Sequence, residues 1–230
     1  MREVYLILAD AAVELVPPEI RRHPAVLTNA SRRGKSPAEI LLDKSIHYPA
    51  MKRLKDHEKR GRPDIVHVCL LNAHSSRLNR EGLLRVIIHT IRGEVIEIDP
   101  MTRIPRNYLR FTGVMEQLLV KGRVPPKGDT VLMRRLGSRL RDEIRNRGID
   151  FVVLLNEGGT LITPRRLAET LAAHERPAFV VGAFPRGDFS EEVYGVVDQV
   201  YSLGNMLLDA WYVVSRIIAS LEDVVGVWDK

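Results

Sequence analysis

Two uninterrupted apolar runs in the second half of the chain, Phe151 to Leu155 and Ala178 to Val181, with a third strand-like segment from Val196 to Ser202, constrain the fold more than any other feature. Each is too short for an ordinary helix and lacks the alternation of a half-buried strand. Between the first two, Thr163-Pro164 opens a helical segment that reaches about His174. Strands without a polar face must be covered on both sides, and the crossovers that join parallel strands supply the cover. The expected class is α/β, with a parallel sheet between helices.

The first half reads less regularly. Val4 to Leu8 is a strand, and Pro17, Pro18 and Pro24 mark a loop that ends in Ser31-Arg32-Arg33-Gly34-Lys35. Ser36-Pro37-Ala38-Glu39 has the form of a capping box, which predicts a short helix carrying Ile40, Leu41 and Leu42 and ended by Pro49. A second helix is expected from Pro49 to Arg60, closing at Gly61, and a buried strand from Asp64 to Leu71. Leu84 to Thr90 and Val95 to Ile98, joined through Arg92-Gly93-Glu94, form an antiparallel hairpin that reads as an addition to the core, at about 78–104. Phe111, Val114, Met115, Leu118 and Leu119 recur at helical spacing up to Gly122. Leu132, Leu136, Leu140 and Ile144 do so up to Gly148, and a last helix is expected from Asn205 to Leu221. The whole, 1–230, is read as one domain.

Thirty-five Lys and Arg against twenty-nine Asp and Glu leave 35 − 29 = +6, a field that favours a polyanionic partner. The single cysteine, Cys69, rules out an intrachain disulfide and any multi-cysteine zinc site, and the histidines include no H-E-x-x-H, so no metal is expected. No apolar run is long enough for a membrane span and the chain opens without a leader pattern, so the expected compartment is the cytoplasm. Familiar nucleotide motifs fail. Gly182 and Gly187 have Walker spacing, but Asp188 and Phe189 stand where Lys and Ser or Thr are required, and no G-x-G-x-x-G is complete.

Three glycine-bearing segments remain: Asn156-Glu157-Gly158-Gly159, Gly182 to Gly187, and Tyr201-Ser202-Leu203-Gly204. Each follows an apolar strand, where open α/β sheets bind ligands, and glycine lets a ligand reach bare backbone. Tight turns with positive φ meet the same spacing. Arg103, Arg106 and Arg110 fall at i, i+3 and i+7, with the latter two on the helix face opposite the Phe111 stripe. Cations at a helix start oppose the dipole, so a structural role explains them less well than contact with a phosphate backbone, to which Asn107 and Tyr108 add hydrogen-bonding and stacking groups. Asp64 stands next to Arg60 and Arg62 at the edge of a buried element, placed for a base, an arginine clamp or a plain salt bridge. Asp43 and His47, four apart, read as a structural pair.

These segments combine. Leu-Leu-Asp-Lys-Ser-Ile-His at 41–47 with Ala50-Met51, Arg62-Pro-Asp-Ile, Arg103-Ile-Pro-Arg-Asn-Tyr-Leu-Arg-Phe and Met115-Glu-Gln-Leu-Leu resemble the ribosome-biogenesis pseudouridine N1-methyltransferases, of the SPOUT or α/β-knot class. The resemblance runs along nearly the whole chain and implies a homodimer with a trefoil knot near the carboxyl terminus, the knotted region falling at about 150–222. It implies S-adenosylmethionine as cofactor, with Gly158, Gly159, Gly182, Ala183, Phe184, Pro185, Gly187, Tyr201, Ser202, Leu203 and Leu208 as the matching positions. It implies a small-subunit rRNA hairpin as substrate, held by Arg62, Arg103, Arg106, Asn107 and Arg110, with ribosomal proteins or assembly factors as further partners.

The implied reaction methylates N1 of one pseudouridine, whose carbon-linked ring keeps an N1–H that uridine lacks. Asp64 would take or orient that proton, and Arg62 would stabilise charge developing on the base. A carboxylate is a weak base, so positioning would carry more of the rate than proton abstraction. The base must leave its stack to react. The competing reading is a non-catalytic assembly factor that holds pre-rRNA with the same arginines.

Overall fold

The structure, a computed structural model, describes residues 1–229. At its centre β1 (Val4–Ala11) is buried along its whole length, because it lies parallel to and between β2 (Leu84–Thr90) and β7 (Pro177–Gly182). The remaining strands are β3 (Val95–Ile98), β4 (Arg123–Val124), β5 (Met133–Leu136), β6 (Phe151–Leu161) and β8 (Gln199–Ser202). Together they form a sheet in the order β4-β5-β3-β2-β1-β7-β6-β8. From β2 to β8 every pairing is parallel, whereas β3, β5 and β4 extend the far edge antiparallel.

Alternation along the strands divides the core into two layers. Val4, Leu6 and Leu8 face α3 (Pro63–Ser75), α5 (Tyr108–Lys121), α7 (Pro164–Ala172) and α9 (Ala210–Val224). Tyr5, Ile7 and Ala9 face the other way, toward Leu140 of α6 (Leu140–Asn146) and Val193 of α8 (Glu191–Tyr194). A smaller cluster, with Val26, Ala30, Ala50 and Met51, joins α1 (Pro24–Arg32) to α2 (Lys44–Met51). The short α4 (Arg77–Arg80) follows α3. The class is α/β as expected, and the helix ending at Gly122 and the carboxyl-half strands lie where the sequence puts them, except that β6 continues past Leu155 to Leu161 and β8 begins at Gln199 instead of Val196.

Several elements differ. The expected strand at Asp64 to Leu71 is α3. Ile65, Val66, His67, Cys69 and Leu70 are all buried, so this helix shows no polar stripe, and periodicity cannot separate it from a buried strand. Pro63 at its first position was the available cue. The Pro17 to Lys35 loop contains α1, capped by His23 and opened by Pro24. Ser36 and Glu39 make the capping contacts, but the turn does not propagate: Leu41 bridges to Leu15 in extended backbone. The next helix starts at Lys44, capped by Asp43, and runs through Pro49 instead of beginning or ending there. Burial of His47, Ala50 and Met51 outweighs the one hydrogen bond Pro49 removes.

The hairpin keeps its expected bounds but is no addition, since β2 pairs with β1 inside the sheet. Leu132 to Ile144 is not one helix; Gly137 separates β5 from α6, and the fourfold apolar spacing joins two elements by coincidence. The last helix begins at Ala210, not Asn205.

Candidate active site

The glycine segments lie side by side because β7, β6 and β8 are neighbours in the sheet. The first is not a loop after a finished strand. Leu155 and Thr160 of β6 both pair with Tyr201, so residues 156–159 bulge out between them, and Ile162 N–H donates to Ser202 O at 2.9 Å. Gly159 is pressed against the other strand: a Cβ there would stand 2.6 to 2.8 Å from the backbone atoms of Tyr201. Asn156 ties this bulge to the next segment, its Nδ2 donating to Asp188 Oδ1 at 3.2 Å and to Tyr194 Oη at 3.0 Å.

The segment after β7 is anchored from beneath. Ala183 N–H donates to Ala9 O, and Ala183 O accepts from Ala12 N–H, both at 2.9 Å. Gly187 has φ +104°, which a side chain would strain. Asp10, 2% exposed, accepts from Ser190 N–H at 2.6 Å, Ser190 Oγ at 2.9 Å and Lys59 Nζ at 2.8 Å, with His89 Nδ1 3.4 Å away. Burial alone would raise the Asp10 pKa, but the hydrogen bonds from His89, Lys59 and Ser190 outweigh it and hold the carboxyl well below its usual range. Lys59 also donates to Asp188 O at 2.6 Å and sits 4.4 Å from the Phe184 ring centre.

The third segment turns at Ser202, whose Oγ donates to Gly204 O at 2.6 Å. With Leu161 to Thr163 and α7 it borders a cavity of about 850 Å³. Of the expected cofactor positions only Tyr201 and Leu203 line it. Gly204, the glycine of the third segment, lines it too, and Asn205, Thr163 and Arg166 do so without having been singled out for it. A Cβ on Gly204 would meet nothing within 4 Å. Leu208 packs against the main core, and Gly182, Ala183, Phe184, Pro185 and Gly187 stand outside the cavity, toward Lys59 and Phe189.

Arg62 caps α3 and Asp64 lies in its first turn. Arg62 Nε and Nη2 donate to the two Asp64 oxygens at 2.8 and 2.7 Å, a fork that raises the guanidinium pKa above its usual value. The carboxylate is thus clamped, not set at a strand edge, and the second cation expected beside it, Arg60, pairs instead with Glu14. Beside the fork Tyr108 Oη donates to Asp43 Oδ2 at 2.5 Å; burial and this bond push the phenol well above its ordinary pKa. His67 places the basic segment, since its Nε2 meets Pro105 O at 2.7 Å while its ring stacks on Phe111. Arg103, Arg106, Asn107 and Arg110 are exposed, and among the described residues no ion pair involves these arginines. Arg106 precedes the helix; Arg110 is on it, its N–H capped by Asn107.

One residue connects the two halves of the site. Ala12 accepts from Arg62 N–H at 3.2 Å and donates to Ala183. The backbones of Arg62 and Ala183 thus flank a single residue, with the arginine fork on one side of it and the turn after β7 on the other.

Among the described residues no group of three or more His, Cys, Asp and Glu side chains is placed to hold a metal, and no helix is long and apolar enough to cross a membrane. Cys69 is buried, its thiol pushed up to about 12 by desolvation.

An open α/β sheet with bent, glycine-bearing strand tips next to a clamped carboxylate and unpaired arginines defines a ligand-binding enzyme of the α/β class, with a cationic edge beside its cleft. The comparisons give the family. The family model described as EMG1/NEP1 methyltransferase matches residues 6–222, and the chain belongs to that family. It is a methyltransferase with an α/β fold of the SPOUT kind. The "Ribosomal RNA small subunit methyltransferase Nep1" of Staphylothermus marinus is 46% identical to it over 97% of each chain. The protein of the same name from Thermococcus kodakarensis is 48% identical over 97% of this chain and 99% of its own. A crystal structure of Archaeoglobus fulgidus Nep1 bound to S-adenosylhomocysteine is 42% identical and covers 98% of this chain and 100% of that one, with a TM-score of 0.87.

Proposed function

We propose that this protein transfers a methyl group from S-adenosylmethionine to N1 of a pseudouridine in a small-subunit rRNA hairpin. The observation that carries the reading is the Ala12 bridge, which sets the Arg62–Asp64 fork beside the turn after β7. The printed names of the relatives supply the substrate class, and the bound S-adenosylhomocysteine of the Archaeoglobus protein supplies the donor class.

The residues present fit such a donor. At Gly204 the space a Cβ would take is open cavity, and the turns offer backbone amides and carbonyls to an adenine edge. Gly158, Gly159, Gly182 to Pro185, Gly187, Tyr201 to Leu203 and Leu208 would form its surround. When bound, the donor supplies an electrophilic methyl group on sulfur. Arg103, Arg106, Asn107 and Arg110 hold the RNA backbone, and the target base is turned out of its stack toward Asp64. Arg62 occupies one lone pair on each Asp64 oxygen, which leaves lone pairs free to accept the N1 proton, and the guanidinium stabilises charge that develops on the ring. Leu161, Met206, Leu207 and Tyr212, all exposed, support a homodimer formed through the carboxyl half, and the trefoil knot belongs to the same proposal.

The test is incubation with the donor and two synthetic hairpins that differ only in pseudouridine or uridine at the target. Mass mapping is expected to find one methyl group on the pseudouridine hairpin and none on the other. Equal methylation of both would reject the N1 assignment.

A further inference from the structure

Helix α2 begins at the site and leads away from it. Its cap, Asp43, holds Tyr108, and its first amide, Lys44 N–H, donates to Gly61 O at 2.8 Å, next to Arg62. One face is buried through His47, Ala50 and Met51. The other face presents Tyr48, 46% exposed, with the Lys44 ammonium 5.8 Å and the Lys52 ammonium 5.3 Å from its ring centre. Lysines at i−4 and i+4 of a tyrosine share its side of the helix. Among the described residues neither ammonium is paired with a carboxylate, and the nearest acid on the helix, Asp43, is already taken by Ser45 and Tyr108.

Core packing does not explain this arrangement. A half-exposed aromatic ring between two unpaired cations, continuous with the arginine fork, has the composition of a single-strand platform: a flat face for a base and charges for the phosphates on either side. The energies also favour that occupant. An exposed ammonium over a ring is held weakly, and these two stand near the outer limit of contact. A stacked base binds the ring more strongly than an exposed ammonium does, enough to displace one lysine, which then turns to a phosphate.

We infer that a nucleotide flanking the extruded one stacks on Tyr48 between Lys44 and Lys52, so that the RNA strand continues from the Arg62–Asp64 fork along α2. The inference rests on the RNA reading above and adds a second, sequence-tolerant subsite to it.

The experiment measures hairpin affinity for the wild type, Tyr48→Ala, Tyr48→Phe, Lys52→Ala and Arg106→Ala, each with intact RNA and with RNAs carrying one abasic position at successive sites around the target. Tyr48→Ala is expected to weaken binding roughly five- to hundred-fold, Tyr48→Phe to bind as the wild type, and Lys52→Ala to lower the salt dependence by about one counterion. One abasic position should cost the wild type a comparable factor and cost Tyr48→Ala nothing, a pattern that a folding defect cannot produce. If Arg106→Ala weakens binding while Tyr48→Ala does not, or if every abasic position costs both proteins equally, the platform is refuted and the RNA reading stands. If neither substitution changes affinity, the RNA reading itself is lost.

Discussion

Replacing Gly159 by alanine tests the geometry of the donor site most sharply, because its neighbour cannot move away alone. The added Cβ would stand 2.6, 2.8 and 2.8 Å from the C, Cα and N atoms of Tyr201, contacts with backbone that no rotamer change relieves. To make room, β6 must move from β8 where Thr160 pairs with Tyr201 and Leu161 with Ser202, and where Ile162 N–H donates to Ser202 O. Overpacking of this kind costs about 1–3 kcal/mol, and each ladder bond loosened adds about 1 kcal/mol. A destabilisation of about 2–4 kcal/mol lowers Tm by roughly 5–15 °C in a chain of this size. The assay is thermal unfolding paired with calorimetric titration of S-adenosylhomocysteine. Both stability and affinity should fall, whereas Gly158→Ala, whose Cβ meets only Asn156 Oδ1 at 3.5 Å, should unfold close to the wild type. Equal melting of Gly159→Ala and wild type would refute the close approach of the two strands.

Gly204→Ala should melt unchanged yet bind S-adenosylhomocysteine more weakly, since its Cβ enters the cavity and touches no protein atom; calorimetry with equal affinity would remove Gly204 from the donor surround. Asp64→Asn should slow methyl transfer at least ten-fold while leaving RNA affinity within a factor of two or three, in single-turnover assays, an order-of-magnitude figure for a positioned proton acceptor. The Asp10 pKa is depressed on folding, so its contribution is present above the unfolded carboxyl value near 3.9 and is lost as pH falls below it. Asp10→Asn should therefore melt lower at pH 7 and show a shallower loss of Tm between about pH 4 and pH 2. His47 is buried with a lowered pKa, because desolvation disfavours its charged form more than Asp43 restores it. The unfolded state then binds the extra proton, and stability should begin to fall as pH drops below about 6.5; His47→Gln should flatten that segment of the Tm profile.

What the sequence discloses here follows a physical rule. The sheet strands were legible because covering both faces leaves an unbroken apolar run, and Phe151 to Leu155 or Ala178 to Val181 has no competing period. The same rule hid α3, whose buried circumference imitates such a run, and it merged β5 with α6, where Leu132 to Ile144 keeps a fourfold spacing across a strand, a glycine and a helix. Asp64 and Arg62 were singled out by charge beside an apolar element, and that signal survived the error about the element itself. The supports were not visible. Asp10 looks like the end of a strand, and its positive φ of 47° and its grip on Ser190, 180 residues away, leave no local trace. Lys59 reaches Asp10 across 49 residues, and Asn156 reaches Asp188 and Tyr194 across 32 and 38, again with no local trace. Tyr48 falls in the gap between the 41–47 and 50–51 parts of the family motif, and its role depends on a helix whose expected boundary, at Pro49, lay beside it.

The central claim is that the donor sits at the bent strand tips with its sulfur side toward the Arg62–Asp64 fork. A crystal structure with S-adenosylhomocysteine and a pseudouridine hairpin measures this directly. The account predicts the compound against the 182–187 and 201–208 segments and the extruded ring between its sulfur and Asp64. A compound bound away from both segments, or a ring out of reach of Asp64, would contradict it.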